Sequence, residues 1–141
     1  MGKGQKRTFE ALLERVRLLV PLVRGWNPDC IVGVNAEGML LGSVLSGIIE
    51  REMRTLGIAP ESKKVCWENV GDLSGKRVVT IVRSFGSPEE REFLERFLKE
   101  KGALSVLVMV MVGRGGDYSC FPELEGDGAF SWEEECDLIS S

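Results

Sequence analysis

At 141 residues, 43% apolar and 28% charged, the chain has the balance of an ordinary globular protein and length for one sizeable core, not two. A net charge of −4, with basic residues dispersed among acidic ones, excludes an overall field for nucleic acid, so Lys3, Lys6 and Arg7 read as a solvated tail. The absence of histidine rules out Ser-His-Asp and Cys-His nucleophiles.

The four cysteines, Cys30, Cys66, Cys120 and Cys136, are widely spaced and form no C-x-x-C, which leaves no zinc ligand set. Cys30 and Cys66 are expected in strands as small core residues. Cys120 and Cys136 flank the last turn region and could pair, although a reducing compartment opposes it. The apolar runs 18–23 and 104–112 are far shorter than the roughly 20 residues that span a bilayer. The charged N-terminal pattern does not resemble a signal peptide. A cytoplasmic protein with no membrane partner is expected.

In chain order, Thr8 can cap a first helix that buries Phe9, Leu12, Leu13, Val16, Leu19, Val20 and Val23, with Pro21 expected to kink it or end it early. Residues 25–29 then read as a turn. Cys30–Val34 is apolar nearly throughout, as a central parallel strand covered on both faces should be. From Met39 to about Leu56, Leu41, Val44, Leu45, Ile48, Ile49 and Met53 predict a second helix, with Gly42 and Gly47 allowing close approach to a sheet. A loop over 57–63, a strand over Lys64–Glu68, a short turn and a strand over Arg77–Val82 follow. Pro88–Lys101 is an amphipathic helix burying Phe93, Leu94, Phe97 and Leu98. Leu104–Val112 is the fourth strand, and residues 113–141 turn glycine-rich, acidic and aromatic, with a short edge strand near Ala129–Trp132.

Helices alternating with buried strands imply βαβ units, hence an α/β, Rossmann-like doubly wound domain with a mainly parallel sheet and a short irregular C-terminal part. One domain over 1–141 is expected, with its core at about 8–112 and a hood-like or edge segment at 113–141.

Ligands of open parallel sheets bind at the carboxyl ends of the strands. Two segments leave those ends: Asn35-Ala36-Glu37-Gly38-Met39 and Arg83-Ser84-Phe85-Gly86-Ser87. The second opens a helix, and unpaired N–H groups in a first turn attract anions, so a phosphate can sit at Gly86–Glu90. Against this, Ser87, Pro88 and Glu90 form an S-x-x-E capping pattern that satisfies the same amides from within, and Glu89 and Glu90 repel phosphate.

The phrases PDCIVGVNAEGMLLGSVLSG and LSGKRVVTIVRSFGSPEEREFLERFLKEKGA, with the order of elements, resemble the type I phosphoribosyltransferases from roughly Phe9 to Val112. The resemblance implies a pyrophosphate loop at Asn35, Ala36, Glu37, Gly38 and Met39. It implies a 5′-phosphate loop at Arg83, Ser84, Phe85, Gly86, Ser87, Glu89 and Glu90. It places the family's adjacent acidic pair, which serves the ribose hydroxyls, at Val82 and Arg83. It also implies a mobile cover between the second and third core strands, where Val65–Arg77 reads as a tight connector. Asp117-Tyr118 and Phe130-Ser131-Trp132-Glu133 echo the C-terminal part of purine-type members, which makes Phe130 and Trp132 base-pocket candidates.

Two functions follow from the resemblance. One is a phosphoribosyltransferase-like protein without its catalytic apparatus, binding a nucleotide or other phosphorylated small ligand or serving as an interaction module. The other is an active purine or pyrimidine salvage enzyme with an altered ribose and metal site, using Glu37, Glu89 or Glu90, and only this one requires Mg²⁺. A third reading is an α/β protein similar in architecture alone. A homodimer is a further implication, with Met109, Met111 or the Gly42/Gly47 face as contact candidates.

Overall fold

The computed structural model describes residues 8–59 and 63–124. Helix α1, Phe9–Trp26, begins where the Thr8 side chain accepts the Ala11 N–H. Pro21 neither ends nor shortens it. Leu12, Val16, Val20 and Val23 are buried on both sides of the proline, which itself faces outward, so core packing outweighs one missing hydrogen bond. The helix stops at Asn27, which takes a left-handed φ of 59° and returns its N–H to Val23 and Arg24.

Strand β1, Cys30–Val34, is buried at every position. Helix α2 covers Asn35–Ile49 and is followed by strand β2, Glu52–Ala59. This corrects the expected helix over Met39–Leu56, which starts four residues earlier and ends seven earlier. Glu50 adopts φ 57° and breaks the helix, and Met53 and Leu56 belong to β2. Gly42 earns its place here, because a Cβ would meet Met53 Sδ at 2.7 Å.

Strand β3, Lys64–Asn69, pairs antiparallel with β2, with Trp67 opposite and lying over Gly57. The expected connector over Val65–Arg77 is therefore partly sheet. Strand β4, Arg77–Val82, helix α3, Pro88–Glu100, and strand β5, Ser105–Val112, follow the sequence expectation within a residue. Strand β6, Tyr118–Phe121, was not anticipated. The expected strand at Ala129–Trp132 lies outside the described residues.

The sheet runs β3-β2-β1-β4-β5-β6 and is parallel except for β3. Alternate β-residues feed two cores. Ile31, Val79, Ile81, Met109 and Met111 pack with α1 and α2, while Val32, Val34, Val78, Val108 and Val110 pack with Leu94 and Leu98 of α3. Met109, Met111 and Gly42 are buried in the chain's own core and offer no contact to a second copy; Gly47 is exposed. Cys66 is exposed too, contrary to expectation, whereas Cys30 and Cys120 are buried free thiols and Cys136 lies outside the described residues.

The return from β5 to β6 takes only 113–117, very short for a parallel connection. Gly113 has φ 82°, and a Cβ at Gly116 would press on the Val108 and Tyr118 carbonyls at 3.0 and 3.1 Å. Asp117 replaces the missing ladder, accepting the Val108 N–H at 2.9 Å while its own N–H donates to the Val108 carbonyl. Arg91 of α3 clamps the turn by donating to the Gly115 carbonyl and the Asp117 carboxylate, both at 2.9 Å.

Candidate functional site

The carboxyl ends of β1 and β4 are adjacent, and each delivers the chain towards a helix. After β1 there is no loop. Asn35–Met39, expected as one, is the first turn of α2, capped by no side chain. Asn35 takes φ 60°, which a short amide side chain tolerates, and its amide continues the sheet: Oδ1 accepts the Ile58 N–H at 2.9 Å and Nδ2 donates to the Ile58 carbonyl at 3.1 Å. Gly38 is buried against β4, where a Cβ would collide with the Ile81 carbonyl oxygen. Gly33 completes this approach, since its Cβ would lie 2.7 Å from the Gly38 carbonyl.

After β4 the Arg83 carbonyl accepts the N–H groups of Met111 and Val112, both at 3.0 Å, which fixes where the chain leaves the sheet. Ser84–Ser87 then lead into α3, with Pro88 in its first turn. The expected capping by Ser87 is not formed; its side chain makes no cap hydrogen bond. Glu90 instead folds back, and its Oε1 accepts the Gly86 N–H at 2.8 Å. Its other oxygen lies over the same residue, because a Cβ at Gly86 would meet Oε2 at 2.8 Å. The loop amide expected to hold a phosphate holds a carboxylate of its own chain.

Between these segments lies a small cleft of about 60 Å³ that opens to solvent. It brings together Asn35, Arg83, Ser84, Phe85 and Glu90 of the expected site. Its walls add residues that the sequence reading missed as site residues: Val34 and Val82 from the strand ends, Ile58 from β2, Lys63 beside β3, and Phe93 and Leu94 from α3. Ala36, Glu37, Gly38, Met39 and Glu89 do not line it. Gly86 and Ser87 face a second hollow beyond Phe85, shared with Arg91 and Gly115. Phe130 and Trp132 lie outside the described residues.

Neither a protein-family model nor a curated protein matches the sequence. Solved structures do. A purine phosphoribosyltransferase from Pyrococcus horikoshii superposes with a TM-score of 0.76 at 20% identity, over 92% of this chain and 93% of that one. The chain has the type I phosphoribosyltransferase fold. A hypoxanthine-guanine phosphoribosyltransferase from Bacillus anthracis matches at TM-score 0.68 and 14% identity, over 79% of this chain and 76% of that one. The hypoxanthine phosphoribosyltransferase of Trypanosoma cruzi, in complex with its product IMP, matches at 0.65 and 12%, over 86% and 85%.

Within this phosphoribosyltransferase fold the end of β4 carries Val82, which has no donor atom, and Arg83, which adds a cation. That pair does not fit Mg²⁺, a hard cation that binds through carboxylates and water. Among the described residues no three or more acidic, cysteine or histidine side chains gather into a metal-binding group, and no helix is long and apolar enough to cross a membrane.

Proposed function

We propose that this chain is a phosphoribosyltransferase-fold protein that binds a nucleotide or another phosphorylated small molecule at the carboxyl edge of its sheet and transfers nothing. One observation carries the reading: Val82 and Arg83 stand at the end of β4, where the resemblance places the acidic pair. A developing positive charge on a ribose would meet a guanidinium there, the opposite of transition-state stabilisation. Of the three carboxylates that an active enzyme could use instead, Glu37 and Glu89 do not line the cleft, and Glu90, which does, accepts the Gly86 N–H.

What supports binding is the chemistry that is left. The cleft keeps two cations, Lys63 and Arg83, and opens beside the first turns of two helices. The base-pocket role of Phe130 and Trp132 belongs to the same proposal. Titration calorimetry of the full chain with AMP, GMP and phosphoribosyl pyrophosphate, beside the Arg83→Ala variant, tests it. Binding that weakens severalfold in the variant is expected; no binding by the wild type, or affinity indifferent to the variant, contradicts it.

A further inference from the structure

The helices on the two faces of the sheet present different surfaces to water. The exposed positions of α3 are Pro88, Glu89, Glu92, Arg96, Lys99 and Glu100, the charged outer side of a helix that stays in solvent. On the other face α1 and α2 lie side by side, Arg24 donating to the Ile48 carbonyl at 2.8 Å, and their outer side is apolar. Leu18 is 72% and Leu22 49% exposed. Together with the exposed Pro21 and Gly25 they recur at helical spacing, on the side opposite the buried Leu12, Val16, Val20 and Val23. From Leu18 to Val23, therefore, α1 is apolar all round, which is the pattern of a helix covered on both sides. The outward residues of α2, Ala36, Leu40, Ser43 and Gly47, carry no charge either, and Leu40 is 38% exposed. Single exposed leucines are ordinary, but an uncharged surface shared by two neighbouring helices marks a contact.

The charges along α1 say what covers it. Glu10 and Glu14 stand exposed at the N-terminal end of the stripe, and Arg17 and Arg24 stand exposed towards its C-terminal end. Let a second α1 lie antiparallel on the first, about a two-fold axis at the level of Leu19. Glu14 and Arg24 stand equally far from Leu19 along the helix, so Glu14 of each copy comes level with Arg24 of the other. In the same arrangement Leu18 and Leu22 interdigitate with their counterparts. A parallel pair would instead set Glu14 against Glu14 and Arg24 against Arg24. The face is thus its own complement in charge as well as in apolar character, as an isologous contact requires. We propose that two copies of this chain associate through the α1–α2 layer, with α1 packed antiparallel on its counterpart. The apolar stripe supplies the affinity and the Glu14–Arg24 pairs set the register. This pairing is independent of what the cleft binds.

Sedimentation equilibrium of the full chain at micromolar concentrations and above tests it, and a species of twice the chain mass is expected. Leu18→Glu changes a side chain that the chain's own core does not use, so the circular dichroism spectrum should be retained. Association should weaken about thirtyfold or more, because the new charge is left in an apolar contact. Glu14→Arg should weaken it severalfold, with most of that difference lost in high salt. Oxidation of Leu18→Cys, made together with Cys66→Ser to remove the exposed native thiol, should link two chains through the substituted position, which peptide mapping identifies. A chain that stays monomeric overturns the proposal and leaves the face to another protein or to another segment of the chain. A dimer indifferent to Leu18→Glu, or one that forms no such link, overturns it as well. None of these results touches the ligand reading.

Discussion

The carboxylate of Glu90 accepts the N–H of Gly86 at 2.8 Å, so the loop that should greet a phosphate is closed by an anion from the first turn of the helix it opens. The contact is charge-assisted and sits at the positive end of α3, which stabilises the helix start. It also sets an incoming anion against a fixed negative charge.

Replacing that charge separates the two effects. Glu90→Gln keeps an acceptor for Gly86 and removes the repulsion. Phosphate should bind about fivefold more tightly, the size of one water-facing charge repulsion of roughly 1 kcal/mol. The melting temperature should fall slightly, as the loss of a helix-dipole partner worth about 0.3–1 kcal/mol implies. Calorimetry and a thermal melt read both. Unchanged phosphate affinity would show that Glu90 does not compete with ligand.

Asn35 is a structural residue in this account. Its amide pairs with both backbone groups of Ile58 and extends the β1–β2 ladder past Val34. Asn35→Ala leaves that donor and acceptor unpaired and puts alanine at φ 60°. A loss of about 2–4 kcal/mol is expected, combining an unsatisfied pair with left-handed strain. Urea denaturation measures it. A loss within ±0.5 kcal/mol, ordinary for a surface site, would contradict the role.

Two glycines of α2 should respond in opposite directions. Gly38→Ala drives a methyl into the Ile81 carbonyl, backbone that cannot yield easily, and should cost about 1–3 kcal/mol or more as overpacking does. Gly47→Ala meets nothing within 4 Å and should stabilise by about 0.4–1 kcal/mol through helix propensity and a stiffer unfolded chain. Equal effects at the two positions would refute the close approach of α2 to β4.

The thiols differ in the same way. Burial pushes Cys120 up to about 12, with the nearby Arg15 charge opposing weakly, and burial also raises Cys30, while Cys66 is exposed. Since the thiolate is the reactive form, alkylation near pH 8 should modify Cys66 long before Cys30 or Cys120. Peptide mapping by mass spectrometry checks the order. Early labelling of Cys120 in folded protein would contradict its burial under α1.

Much of the scaffold was legible. Cys30–Val34 and Arg77–Val82 matched to the residue because strands covered on both faces are continuous apolar runs, with turn residues on each side. The expected second helix failed because Met53 and Leu56 fall at helical spacing from Leu45 and Ile49. The break between them is a left-handed glutamate, Glu50, where glycine would have signalled an end. Strand β6 hid in GRGGDYSCF because its turn depends on Asp117 bonding to Val108, a contact that no local pattern announces. At the site, sequence found both segments that leave the strands but not the partners closing them. Ile58 of β2 and Lys63 in the turn before β3 are distant in the chain from both segments, Phe93 belongs to the helix that the second segment opens, and Glu90 engages Gly86 rather than forming the expected box with Ser87.

The central claim is that phosphate recognition has outlived transfer in this fold. Titration of phosphoribosyl pyrophosphate into the full chain, with Mg²⁺ and again with chelator, while pyrophosphate release is followed with a purine or pyrimidine base present, tests it most directly. The account predicts binding of equal affinity in both conditions and no release. Binding that requires Mg²⁺ and is followed by pyrophosphate release would contradict it.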